Sequence, residues 1–221
     1  MKIVNLLNSD QLKEVMDLVE KIDFQSGKVS ASGLAKEAKL NKEALREGDS
    51  YKKLLNFILK VLVSHDWIQR RYLPKKFSSP LINKYSLDDF YGKHFDSSRT
   101  IDNGISIRND FSYTLMLSNY HDYEGGELII ENGSSVDKVK LDAGDIVIYP
   151  SYYIHSVSPI TKGERIAWVG WFSSHVKDPL ALEALNSYED LHLSMLKYDL
   201  SDEDKLMLSY VQNRLEHVFS E

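Results

Sequence analysis

Between Leu81 and Phe172 the chain repeats one local pattern: short runs rich in β-branched and aromatic residues, separated by clusters of Gly, Asn and Asp. The runs read as strands at Leu81–Tyr85, Phe111–Leu117, Glu127–Glu131, Val136–Leu141, Asp145–Tyr149, Ser156–Ile160 and Arg165–Phe172. No helical periodicity lies between them. Parallel strands need long crossovers, usually helical, so a doubly wound parallel sheet is disfavoured and a sandwich or barrel is expected.

The flanks have the other period. Leu12, Val15, Met16, Val19 and Ile22 recur at helical spacing behind Ser9 or Asp10 as the expected cap. A polar segment, Ser26 to Ser32, precedes a second helical pattern from Leu34 to Arg46, which Gly48 is expected to end. Leu54, Leu55, Ile58, Leu59 and Leu62 mark a third helix. After the strands, helices are expected from Leu180 to Leu196 and beyond Ser201, where Asp204 completes a pattern like a capping box. The expectation is one domain over residues 1–221: a mainly helical support over 1–75, a β core over 76–176 and closing helices over 177–221.

Composition narrows the chemistry. A hydrophobic fraction of 43% in 221 residues suffices for a sizeable core. The formal charge of −6 argues against a nucleic-acid partner. With no cysteine, any metal site must use imidazole and carboxylate. The first residues, Met1 to Asp10, lack a leader pattern, and no apolar run is long enough for a bilayer, so a cytoplasmic protein with no membrane partner is expected.

His94, Phe95 and Asp96 stand where the polarity pattern predicts a strand end. Period-two geometry turns His94 and Asp96 to one face and Phe95 to the other. A second imidazole would complete a set of two His and one carboxylate, leaving open positions on an octahedral iron. His155, after the strand ending at Tyr149 and the turn at Pro150, is the best placed to supply it. His65, His121, His175, His192 and His217 lack such a setting and read as structural or surface residues.

An ordered series of strings extends this pattern. Asn83-Lys84-Tyr85, His94-Phe95-Asp96 and Arg108-Asn109-Asp110-Phe111-Ser112 are followed by Leu117-Ser118 and Tyr123-Glu124-Gly125-Gly126-Glu127-Leu128. Leu141-Asp142-Ala143-Gly144-Asp145, Tyr149-Pro150-Ser151, His155 and Gly163-Glu164-Arg165 complete it. Together they resemble the PKHD-type, prolyl-4-hydroxylase-like iron(II)/2-oxoglutarate dioxygenases, over nearly the whole chain. The resemblance implies a double-stranded β-helix, a jelly-roll of cupin-like form, with N-terminal and C-terminal helices outside it. It implies Fe(II) on His94, Asp96 and His155, with 2-oxoglutarate and dioxygen as co-substrates and ascorbate as a candidate reductant.

By the same resemblance Arg165 binds the distal carboxylate of 2-oxoglutarate, for which a planar guanidinium is well matched. Tyr85 and Thr114 stand where the family offers hydroxyls to the co-substrate. The implied reaction hydroxylates an unactivated C–H bond while 2-oxoglutarate becomes succinate and carbon dioxide.

The implied substrate is a prolyl or other residue in a peptide or protein, approached over Arg70, Arg71, Tyr72, Tyr91, Arg108 and Trp171. Ser97 to Gly104 is expected to form a mobile loop over it. Competing readings are a small-molecule hydroxylase on the same site, a cupin-like metal-binding protein without turnover, and a zinc hydrolase.

Overall fold

The computed structural model describes residues 2–31, 33–102 and 104–220, so Ser32 and Asn103, within two of the expected polar segments, lie outside it. Two sheets face each other. The larger runs in the order Lys2–Asn5, Asp145–Pro150, Phe111–Met116, Arg165–Ser174, Leu81–Tyr85, Lys42–Ala44 and Phe24–Ser26, with Pro74–Phe77 beside Arg165–Ser174. The smaller runs Val136–Val139, Leu128–Glu131, Ile154–Val157, Phe90–His94 and Lys39–Leu40. Every pairing in both is antiparallel, as expected of a jelly-roll built without crossover helices.

Strand alternation divides the larger sheet into two faces. Ile82, Tyr113, Leu115, Ile146, Ile148, Trp168 and Phe172 join a core with the helices Ser9–Val19, Gly48–Ser64 and Asp66–Tyr72. Tyr85, Met116, Val147, Tyr149 and Ala167, their sequence alternates, point between the sheets and meet Leu128, Ile130 and Val157. A one-residue slip in any of these strands would exchange core for cavity, so register is tightly specified.

Seven strands lie close to the expected positions, though Ser156–Ile160 divides into Ile154–Val157 and Ile160–Gly163. The front of the chain differs more. The first helix is capped by Asn8, not Ser9 or Asp10: Asn8 accepts from the Gln11 amide, and Gln11 Oε1 accepts from the Asn8 amide. Helix covers only Gly33–Glu37 of the Leu34–Arg46 pattern; Lys39–Leu40 and Lys42–Ala44 are strands, and Gly48 begins the next helix rather than ending one. Pairing with Phe90–Tyr91 on one sheet and Asn83–Lys84 on the other overrides the helical propensity of this Ala, Lys and Glu-rich stretch. Residues 38–44 thus form a strap from sheet to sheet. It carries a buried ion pair, Lys39 with Glu43, whose burial depresses the lysine pKa against the pull of that carboxylate.

Positive-φ glycines make the turns. Gly125 and Gly126 have φ of 73° and 66°, and Gly144, at 93°, lies so close to Leu7 that a Cβ would stand 2.6 Å from its carbonyl oxygen. At the other end, Pro179–Met195 and Asp202–Phe219 form a helical hairpin, the second capped by Ser201, which accepts from the Asp204 amide. No helix among the described residues is long and apolar enough to cross a membrane.

Leu54 is fully buried between the larger sheet and its helices. Leu54→Ala is expected to destabilise the fold by about 2–5 kcal/mol, read as a lowered denaturant midpoint with an unchanged m-value.

Candidate metal centre

Phe90–His94 and Ile154–Val157 are neighbours in the smaller sheet, and His94 and His155 are directly opposed across them. Each imidazole is tied to the backbone two residues before it. His94 Nδ1 lies 2.8 Å from the Gly92 carbonyl oxygen and His155 Nδ1 lies 3.0 Å from that of Tyr153. A carbonyl only accepts, so each Nδ1 carries a proton, which leaves Nε2 as the ring nitrogen that could meet a metal. Burial, then the neighbouring His155, pushes the His94 pKa down to about 4, which keeps that ring neutral at neutral pH.

Asp96, just past the strand end, faces both rings, while Phe95 points out to solvent, as period-two geometry requires. Asp96 Oδ2 lies 3.6 Å from His155 Nε2, and one ligand atom from each of His94, Asp96 and His155 falls within 4.8 Å of the others. Among the described residues no other group of His, Cys, Asp and Glu is so gathered. The carboxylate is aimed by Ser112, whose hydroxyl donates to Asp96 Oδ2 at 2.6 Å and is hydrogen-bonded to Ser151 Oγ at 3.0 Å. Two imidazoles held by backbone carbonyls and a hydrogen-bonded carboxylate suit a borderline divalent cation such as Fe(II).

The triad opens on a cavity of about 830 Å³ between the sheets, and Arg165, Tyr85 and Thr114 line it too. Arg165 heads the strand Arg165–Ser174 and alternates inward with Ala167 and Val169, cross-strand from Tyr85. The arginine is 2% exposed, yet its Nε has no hydrogen-bond partner and no carboxylate pairs with it among the described residues. Its neighbours are the Tyr85 ring, 5.2 Å from Cζ, and Met116 Sδ, 3.7 Å from a terminal nitrogen. A buried guanidinium without a counter-ion is costly unless an anion arrives to meet it. Burial raises the Tyr85 and Tyr149 hydroxyls far above their usual range, so both remain donors.

These residues fit iron and a dicarboxylate co-substrate, and relatives give the arrangement its family. The 2OG-Fe(II) oxygenase superfamily matches over residues 80–173. A PKHD-type hydroxylase of Alteromonas mediterranea is 33% identical over 222 positions, covering 99% of this chain and 98% of the relative. This chain belongs to the 2OG-Fe(II) oxygenases. Among them it groups with the PKHD-type hydroxylases; one from Prochlorococcus marinus is 37% identical over 93% of each chain. The oxygenase is therefore an iron(II)- and 2-oxoglutarate-dependent hydroxylase. Solved structures share its fold: a Pseudomonas putida prolyl-4-hydroxylase (18% identity, TM-score 0.53) covers 78% of this chain and 91% of its own. A Trichoplax adhaerens prolyl hydroxylase (20%, 0.56) covers 77% and 82%.

Four of the six residues expected along the substrate approach are engaged elsewhere. Arg70 and Arg71 pair with Glu189 of the helix Pro179–Met195, and Arg71 also with Asp190. Tyr72 packs its ring against Phe111 and Phe172 in the core. Arg108 is bound by Asp110 at 2.7 Å and donates to the Ser174 carbonyl. Tyr91 and Trp171 do line the cavity. The segment expected as a loop after Asp96 is largely a β-hairpin, Arg99–Asp102 with Ile105–Arg108, as the β-branched residues Thr100, Ile101, Ile105 and Ile107 permit.

Ser112 and Ser151 escaped notice as functional residues, although both lie inside strings that carried the family resemblance. Ser112→Ala is expected to weaken Mn(II) binding about tenfold, by analogy with other outer-shell losses at metal sites. Isothermal titration checks this, with an unchanged far-ultraviolet circular dichroism spectrum as the control.

Proposed function

We propose that residues 1–221 act as one catalytic unit in which His94, Asp96 and His155 hold Fe(II), and Arg165, with Tyr85 and Thr114, binds 2-oxoglutarate. The reading rests above all on one observation: a buried, carboxylate-free Arg165 opens on the same cavity as the triad. Arg165 would meet the distal carboxylate with charge-assisted hydrogen bonds, and the un-ionised Tyr85 hydroxyl would add a donor. Ser112 and Ser151 would hold Asp96 in line. When bound, the iron supplies the oxidising power for C–H hydroxylation, at the expense of 2-oxoglutarate and dioxygen. The protein's part is to fix the ligands, place the co-substrate and keep both in a largely buried space.

For substrate we favour a prolyl or other residue in a peptide or protein. The relatives are named PKHD-type hydroxylases, and the Trichoplax neighbour was solved with a hypoxia-inducible-factor peptide. Phe95 and Ile154 stand exposed at the rim of the cavity, where a peptide's apolar side chains would be shielded from water. A small-molecule substrate is the second reading, favoured by a neighbour of the same fold solved with hygromycin B.

Iron-loaded protein is expected to turn 2-oxoglutarate into succinate, and His94→Ala to abolish this. Arg165→Ala is expected to raise the KM for 2-oxoglutarate at least tenfold, as removing a charged hydrogen-bond donor costs about 1.5–3 kcal/mol. Mass spectrometry of peptide pools and of a metabolite extract incubated with the enzyme separates the substrate classes by where one oxygen is gained. A gain confined to small molecules overturns the peptide reading.

A further inference from the structure

We propose that Tyr91 is a positioning residue for His94, held in place by the strap through Lys39; this rests on His94 being a metal ligand. The strand carrying them is irregular. His155 pairs with His94 and Val157 with Tyr91, so three steps along one strand face two along the other. The additional residue makes a bulge, and bulges re-aim side chains. In a regular strand Tyr91 and His94, three apart, would point to opposite faces. Here their rings stack, with centroids 3.6 Å apart and planes 17° from parallel.

The strap secures this bulge at two points. Ala38 accepts a hydrogen bond from the Gly92 amide at 2.9 Å, and Lys39 is the strand partner of Tyr91. Only glycine fits at 92, since a Cβ there would stand 2.8 Å from that of Ala38. Gly92 then presents its carbonyl to His94 Nδ1. Above the Tyr91 ring stands Lys39 Nζ, 4.9 Å from the centroid. The ammonium is itself fixed, donating to Ser30 Oγ at 2.9 Å and to the Glu43 carboxylate in a site 2% exposed.

His94 is therefore constrained in two ways. The Gly92 carbonyl fixes which nitrogen is free, and the stacked Tyr91 ring fixes the plane in which that nitrogen points. A cation over a phenol ring is attracted to its face, so Lys39 restrains the ring that restrains the imidazole. Tyr91 needs no contact with the metal to act, and its aromatic plane rather than its hydroxyl carries the effect.

The test is the affinity and visible d–d absorption of the full chain loaded with Co(II). Tyr91→Leu is expected to weaken Co(II) binding by about 10- to 100-fold and to shift the band, whereas Tyr91→Phe, which keeps the ring, retains both. Lys39→Met with Glu43→Leu removes the cation without stranding a buried charge, and is expected to move affinity and band in the same direction as Tyr91→Leu. Wild-type affinity and spectrum in Tyr91→Leu, with only a lower melting temperature, overturns the proposal and leaves the stack as packing. If His94→Ala also binds Co(II) as the wild type does, the metal assignment fails, and not the positioning argument alone.

Discussion

Two imidazoles opposed across one antiparallel strand pair, each with its Nδ1 proton given to a backbone carbonyl two residues earlier, are the constraint on which the rest turns. The Gly92 carbonyl belongs to its strand and that of Tyr153 to the turn that leads into the next, so ring direction is built into the backbone around the sheet. The remaining ligand needs more help. Asp96 lies beyond the strand end, and the larger sheet reaches across to orient it through Ser112 and Ser151. The centre is thus shared: the smaller sheet presents and aligns the two imidazoles, and the larger aligns the carboxylate and carries the buried arginine.

That division follows from strand alternation. Along Arg165–Ser174, Trp168 and Phe172 anchor the sheet to its helices, while Arg165 and Ala167 turn to the interior. Phe111–Met116 behaves alike, with Leu115 outward and Ser112 and Thr114 toward the cavity. Helix packing on one face of the larger sheet therefore sets the register of reactive groups on the other. The helical framework stabilises chemistry that it never touches.

Much of the β core was legible because its signal is local. Alternating Val, Ile, Tyr and Phe bounded by Gly and Asn mark strands wherever both faces are buried, and the positive φ of Gly125, Gly126 and Gly144 agrees with turns read from glycine alone. The triad was legible through its spacing and the ordered strings around it. What escaped depends on partners distant in the chain. Lys39–Ala44 has helix-forming residues and becomes strand only because two sheet edges are free to receive it. Arg70 and Arg71 resemble a basic approach surface until Glu189 and Asp190 are brought beside them. The bulge at Gly92 has no distinctive composition; a lone glycine before His94 was its one trace.

The paired glycines after Tyr123 turn the chain, but Gly126 also packs beside Arg165, since a Cβ on it would stand 3.2 Å from Arg165 Cδ. The packing of Ile160, Tyr123 and the Arg165 stem is shaped by an atom that is missing. A natural variant with any side chain there would keep every ligand, hydroxyl and charge in its expected place along the chain. Inspection of its reactive residues alone would pass it as unaltered, while Ile160 and Tyr123, 2.4 and 3.0 Å from the added Cβ, would have to shift beside the arginine.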